Sequence, residues 1–123
     1  MQIMIRVGSF SMQAVLDDTP TAREIAAALP IRTSFQTWGD EIYFAIPIES
    51  DLDETAREIV DLGDLAYWPP GNAFCIFFGP TPMSAGDESR AASAVNIIGR
   101  VLGDAKQFKQ VMQAPEIVLE AVP

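Results

Sequence analysis

Residues 63–82, GDLAYWPPGNAFCIFFGPTP, constrain the fold more than any other part of the chain. Two apolar segments, residues 65–68 and 73–78, flank a turn written in Pro69, Pro70, Gly71 and Asn72. Proline pre-sets the turn geometry, while glycine and asparagine tolerate the backbone that closes it. The segment after the turn is apolar at successive positions rather than at alternate ones, as in a central strand covered on both faces. A β hairpin at the centre of the domain is the expectation.

The rest of the chain reads in the same direction. Ile3, Ile5 and Val7 alternate with polar or longer side chains, and after Gly8-Ser9 the alternation resumes with Phe10, Met12, Ala14 and Leu16, predicting an opening hairpin. Thr19-Pro20 supplies a hydroxyl cap followed by proline at the first helical position, so a short helix begins there, and Pro30 ends it. Residues 31–38 and 41–48 read as two strands joined through Gly39-Asp40. Residues 50–62 carry Leu52, Ala56, Ile59 and Val60 at helical spacing, among acidic residues that equally suit a solvated loop. Residues 80–93 read as a long loop, residues 95–102 and 116–122 as further strands, and residues 104–112 as a helical turn. About eight strands with one or two short helices make a mainly β single domain over residues 1–123. Closure into a barrel is the commonest way to remove the exposed edges.

Charge and composition exclude several functions. Seventeen acidic and eight basic side chains give a net charge of −9, which repels phosphate backbones and anionic lipid. Neither nucleic acid nor a membrane is therefore an expected partner, and no apolar run approaches the roughly 20 residues a helix needs to cross a bilayer. With no histidine and one cysteine, a zinc site lacks its preferred ligands. The acidic residues show no calcium-loop spacing, and no glycine-rich phosphate cradle is present, so no metal or cofactor is expected. A single cysteine cannot form an intrachain disulfide, which with the N-terminal segment fits a reducing, cytoplasmic setting.

Three blocks resemble the small prokaryotic cyclophilin-like family. They are Trp38-Gly39-Asp40-Glu41-Ile42-Tyr43-Phe44, residues 63–82, and Asn96-Ile97-Ile98-Gly99-Arg100-Val101. The resemblance spans nearly the whole chain and implies a closed, roughly eight-stranded barrel, an architecture shared with true cyclophilins, with no established activity for the small family itself. True cyclophilins are prolyl isomerases, and their site is matched only in part, by residues 73–78 and by Ile98-Gly99-Arg100-Val101 with Phe108 and Val111. Where their arginine would stand the chain reads Ser34-Phe35-Gln36-Thr37-Trp38. Lowering an amide rotation barrier of roughly 18–20 kcal/mol requires a donor that weakens resonance beside an apolar pocket. Arg32 could substitute only if its strand register turned it inward. The broader superfamily resembles a component of oxoprolinase and urea-amide hydrolysing assemblies, which implies an interaction subunit as an alternative role.

Candidate site residues follow from chemistry and from these motifs. Trp38, Tyr43 and Trp68 are amphipathic rings at strand ends, suited to a ligand-lined cleft or to ordinary rim packing. Glu41 interrupts an apolar strand; in a pocket, desolvation would raise its pKa toward acid/base use, whereas at the surface it would be an ordinary carboxylate. Asn72 either presents an amide to a ligand or fills a positive-φ turn position, and Phe74 completes the aromatic set. Asp40 and Asp64, each after a glycine, suit capping of local amides. Cys75 reads as a buried, inert thiol, because no histidine can activate it. Asn96 and Arg100 alternate onto one face, with Arg100 expected in an ion pair, and Ser84 and Ser93 bound the long loop. The function this suggests is binding of a small molecule or peptide segment in a cleft formed by Trp38, Glu41, Tyr43, Trp68, Asn72 and Phe74. The enzymatic alternative is an acid/base catalyst at Glu41 or a residual isomerase.

Overall fold

In a computed structural model describing residues 1–123, β1 (Gln2–Val7) and β2 (Phe10–Leu16) form the opening hairpin, with Ile3 opposite Ala14, Ile5 opposite Met12 and Val7 opposite Phe10. Alternation drives one set of these side chains into the core. Helix α1 (Pro20–Ala28) starts where expected: Thr19 Oγ1 accepts from Ala22 N at 3.2 Å, and Leu29 leaves helical geometry before Pro30. It lies against β2 and adds Ala22 and Ile25 to the core.

Eight further strands follow. They are β3 (Ile31–Thr33), β4 (Gln36–Thr37), β5 (Glu41–Ala45), β6 (Arg57–Val60), β7 (Asp64–Trp68), β8 (Ala73–Phe77), β9 (Ser89–Val101) and β10 (Ile117–Ala121). All pairings are antiparallel, and the strand order is β3-β10-β1-β2-β9-β7-β8-β5-β4, with β6 attached to β9. The fold is mainly β as expected, but the hydrogen-bonded path begins at β3 and ends at β4 with no ladder between them. The expected closed barrel is thus not closed by hydrogen bonding. The two edge strands are linked covalently through Ser34-Phe35 alone, so the chain itself brings the edges together.

This split corrects the expected single strand over residues 31–38, because β3 pairs with β10 while only β4 pairs with β5. Two other expectations change. Residues 50–62 form no helix: an irregular stretch latched by side chains leads into β6. Asn96 Nδ2 donates to Asp51 O at 2.9 Å, and Asn96 Oδ1 accepts from Asp53 N at 2.9 Å. Ile97 N donates to Thr55 Oγ1 at 3.0 Å. The helical spacing is coincidental, since Leu52 and Ile59 are exposed and only Val60 is buried. The expected loop over residues 80–93 ends earlier, with β9 already under way at Ser89. Arg100 is exposed and forms no ion pair, because a bulge in β9 opposite Leu65/Ala66 breaks the alternation that would have put it beside buried Asn96.

The sheet is buried on both faces at its centre. Phe74 and Ile76 of β8 belong to the main core with Ile42, Phe44, Leu65 and Tyr67, whereas Ala73, Cys75 and Phe77 join a smaller cluster with Ala66, Val60, Ala91 and Val95. The continuous apolar run of β8 thus serves two cores, as its composition predicts. Between the β7–β8 pair, Pro69–Gly71 make one 3-10 turn and Asn72 adopts φ 48°, the left-handed conformation asparagine tolerates.

Tyr67 ties this turn to the chain beyond β5. Its buried phenol donates to Ile48 O at 2.7 Å, accepts from Ser50 N at 3.2 Å and stands 3.1 Å from the Asn72 side-chain amide. Tyr67→Phe removes the oxygen while leaving a buried carbonyl and an amide without their partner. It is expected to cost about 1–3 kcal/mol, read as a lower urea midpoint; a midpoint unchanged from wild type would show that water replaces the phenol without loss.

Candidate functional site

Strand parity assembles the site. Glu41 and Tyr43 on β5, Trp68 on β7 and Cys75 and Phe77 on β8 occupy alternate positions facing the smaller core, with Tyr43 opposite Cys75 and Glu41 opposite Phe77. The turn before β5 brings Trp38 to the same place. Trp38 N donates to Glu41 O at 3.0 Å, Asp40 N donates to Pro80 O at 2.9 Å, and Phe78 N donates to Asp40 O at 2.9 Å. Gly39 is required inside this turn: its φ is +60°, and an added Cβ would come within 2.8 Å of Thr81 Cα.

The result is an open cleft of about 200 Å³ lined by Trp38, Glu41, Tyr43, Trp68, Ala91, Ala92 and Val95. Its far wall is the N-terminal half of β9, where the pairing with β6 shifts register between Arg57 and Ile59. Such an irregularity lets a strand leave the regular ladder. Trp68 is fixed across the cleft by Nε1 donating to Ser93 Oγ at 2.8 Å. A second, more polar cleft of about 290 Å³ shares Tyr43 and Trp68 as a wall and continues over Thr33, Ser34, Phe35 and Gln36.

Glu41 dominates the electrostatics. Only 6 % of it is exposed, and no lysine or arginine forms an ion pair with it. Burial among apolar side chains raises its carboxyl from 4.5 to about 7, against a smaller lowering by the neighbouring Cys75 thiol. Cys75 is itself buried and pushed well above the ordinary thiol value by that burial and by Glu41, which makes it a poor nucleophile. Two cations next to site residues in the chain are engaged elsewhere: Arg90, beside Ala91, with Glu88 at 2.9 Å and Glu58 at 3.8 Å, and Lys109 with Asp40, beside Glu41, at 3.3 Å.

Of the six expected site residues, Trp38, Glu41, Tyr43 and Trp68 meet in one cleft. Phe74 lies on the opposite face of β8, stacked on Phe44 at 5.3 Å, because neighbouring residues of a strand point to opposite faces. Asn72 serves the turn and Tyr67 and does not line the cleft. Asp64 does cap locally, accepting from Asp61 N at 2.8 Å, and burial raises its carboxyl. The side chain of Asp40 instead pairs with Lys109. Ser84 closes a turn by accepting from Thr81 N at 2.9 Å. Arg32 is exposed and paired with Glu116, so its strand register does not turn it inward as a prolyl-isomerase site would require. The wall residues Ala91, Ala92 and Val95 carry no chemical signature in the sequence. Beside them on β9, the Ser93 hydroxyl is the wall's one sequence-visible polar group.

No group of three or more histidine, cysteine, aspartate or glutamate side chains is placed to hold a metal ion, and no helix is long and apolar enough to cross a membrane. The comparisons agree with the fold. The chain is similar, at 42% identity and a TM-score of 0.83, to a hypothetical protein from Archaeoglobus fulgidus known from a solution structure, covering 99% of this chain and 95% of that one. No curated protein matches. A family model described as cyclophilin-like matches residues 1–120, so the chain belongs to the cyclophilin-like family.

Proposed function

We propose that this protein binds a small molecule, or a single side chain of a peptide, in the cleft bounded by Trp38, Glu41, Tyr43 and Trp68. The observation that supports this reading is a carboxyl group buried in an open apolar cleft with no cationic partner from the protein. Burial of such a group is costly, and within the chain only the Cys75 thiol offsets it, in small part. A cleft of about 200 Å³ is of the size that takes a ring-sized molecule, since an apolar cavity of about 150 Å³ accepts benzene. A cytoplasmic location, where the lone thiol stays reduced, belongs to the same proposal.

Both tryptophans of the chain line the cleft, so every indole signal reports on it. In a fragment screen followed by the two indole N–H resonances, hits that shift Trp38 and Trp68 together are expected. Ala92→Phe, a substitution at an exposed position of the wall, should abolish those shifts by filling the cleft. A diverse library in which no fragment moves either resonance would defeat the proposal.

A second reading, acid/base catalysis by Glu41, has one observation in its favour: a buried carboxyl in the cleft whose pKa is raised to about 7 exchanges protons readily at neutral pH. It requires a substrate in the same cleft, so the screen bears on both readings. Prolyl isomerisation is not proposed, because the cleft contains no arginine.

A further inference from the structure

Resting on the binding reading above, we propose that the cleft takes a small organic cation, an alkylated ammonium group seated between the faces of Trp38, Tyr43 and Trp68 with its charge directed at Glu41. Aromatic faces carry negative quadrupole potential and attract cations, tryptophan most strongly. Three such rings and one carboxylate line a single cavity whose other walls are alanine and valine. This combination discriminates by charge and by hydration. An anion meets the carboxylate and the ring faces, both repulsive. A metal ion meets one carboxylate and no further ligands, and would lose its water without replacement. An alkylammonium head loses little hydration, presents methyl groups to the apolar walls and supplies the positive charge that Glu41 lacks. The net charge of −9 adds a long-range attraction of the same sign.

The neighbouring cleft extends the assignment. It shares Tyr43 and Trp68 with the first and is lined beyond them by Thr33, Ser34 and Gln36. A tail that passes Tyr43 and Trp68 from the first cleft would meet these hydroxyl and amide groups.

Affinity should follow the charge of Glu41. The groups packed against it are the Cys75 thiol on β8 and the Tyr43 phenol on its own strand, while Ala91, Ala92 and Val95 on β9 carry no charge. The cation binds the carboxylate form, so binding tightens as pH rises through about 7 and levels off above it.

The test uses three probes with the same branched head: choline, its uncharged isostere with a quaternary carbon in place of nitrogen, and the anion trimethylacetate. Titrations of the full-length protein, read by the indole resonances, are expected to give choline an affinity at least about tenfold above the isostere, with trimethylacetate weakest. Glu41→Gln should remove most of that preference together with its pH dependence. Trp68→Phe, which keeps a ring but loses the indole, should weaken choline more than the isostere. Equal binding of choline and isostere, or preference for the anion, overturns the cationic assignment while leaving the cleft a binding site. Silence from all three probes overturns it as well, and the fragment screen then decides separately whether the cleft binds anything.

Discussion

Replacing Glu41 by glutamine raises the unfolding temperature at neutral and alkaline pH and leaves it nearly unchanged in mild acid. The sign follows from proton counting. Burial lifts the folded-state carboxyl from 4.5 to about 7, so between those values the folded protein holds a proton that the unfolded chain has released. Stability therefore falls as pH rises across that window, and above it the loss is complete and constant. At about 1.4 kcal/mol for each pH unit the loss amounts to about 3 kcal/mol, corresponding to roughly 10 °C for a domain of this size. Glutamine keeps the volume but does not titrate, so the gap between the variants should open from zero near the lower end of the window to its full value at the upper end. Asp64, also raised by burial, contributes in the same direction to both proteins and cancels in the comparison. Paired thermal scans across the range decide the matter: a gap independent of pH would mean that Glu41 is not desolvated in solution. A stabilising loss of charge is what the proposed binding role of Glu41 predicts, because local rules are broken mainly where function requires it.

Four of the cleft's residues are legible in the sequence, and the reasons are particular. Trp38, Glu41, Tyr43 and Trp68 are conspicuous residue types at strand ends, and turns such as Gly39-Asp40 and Pro69–Gly71 mark those ends chemically. Phe74, expected in the cleft, lies outside it because parity across a strand pair depends on register. Only the pairing of Trp68 with Ala73 and of Tyr43 with Cys75 shows that Phe74 points into the other core. The wall formed by Ala91 and Val95 was illegible for a different reason: small apolar residues acquire meaning only from what faces them. The edges failed similarly. Residues 31–38 look like one strand, yet β3 takes its partner from β10, more than eighty residues later, and no local pattern records so distant a pairing. Charged β6 is a strand because β9 offers it a ladder, not because Arg57 and Glu58 favour one.

Gly99→Ala should be the most damaging single methyl in the protein. The seam between β2 and β9 runs through Leu16 opposite Gly99, Val15 opposite Arg100 and Ala14 opposite Val101, and Gly99 also faces Leu65 of β7 on its other side. A Cβ there would lie 2.1 Å from Val15 O and 3.1 Å from Leu16 Cα. Both atoms are backbone, so no rotamer change relieves the overlap. Relief requires the strands to part, which breaks the neighbouring ladder and the bond from Asp17 N to Ile98 O at 2.8 Å. A cost on the order of 3–5 kcal/mol is expected, a large share of the roughly 5–15 kcal/mol that holds a domain together. Urea unfolding should show a much lower midpoint with an unchanged slope. Gly86→Ala provides the contrast, since an added Cβ there meets nothing within 4 Å and should leave the midpoint where it is. A Gly99→Ala protein within about 1 kcal/mol of wild type would show that β2 and β9 do not approach this closely.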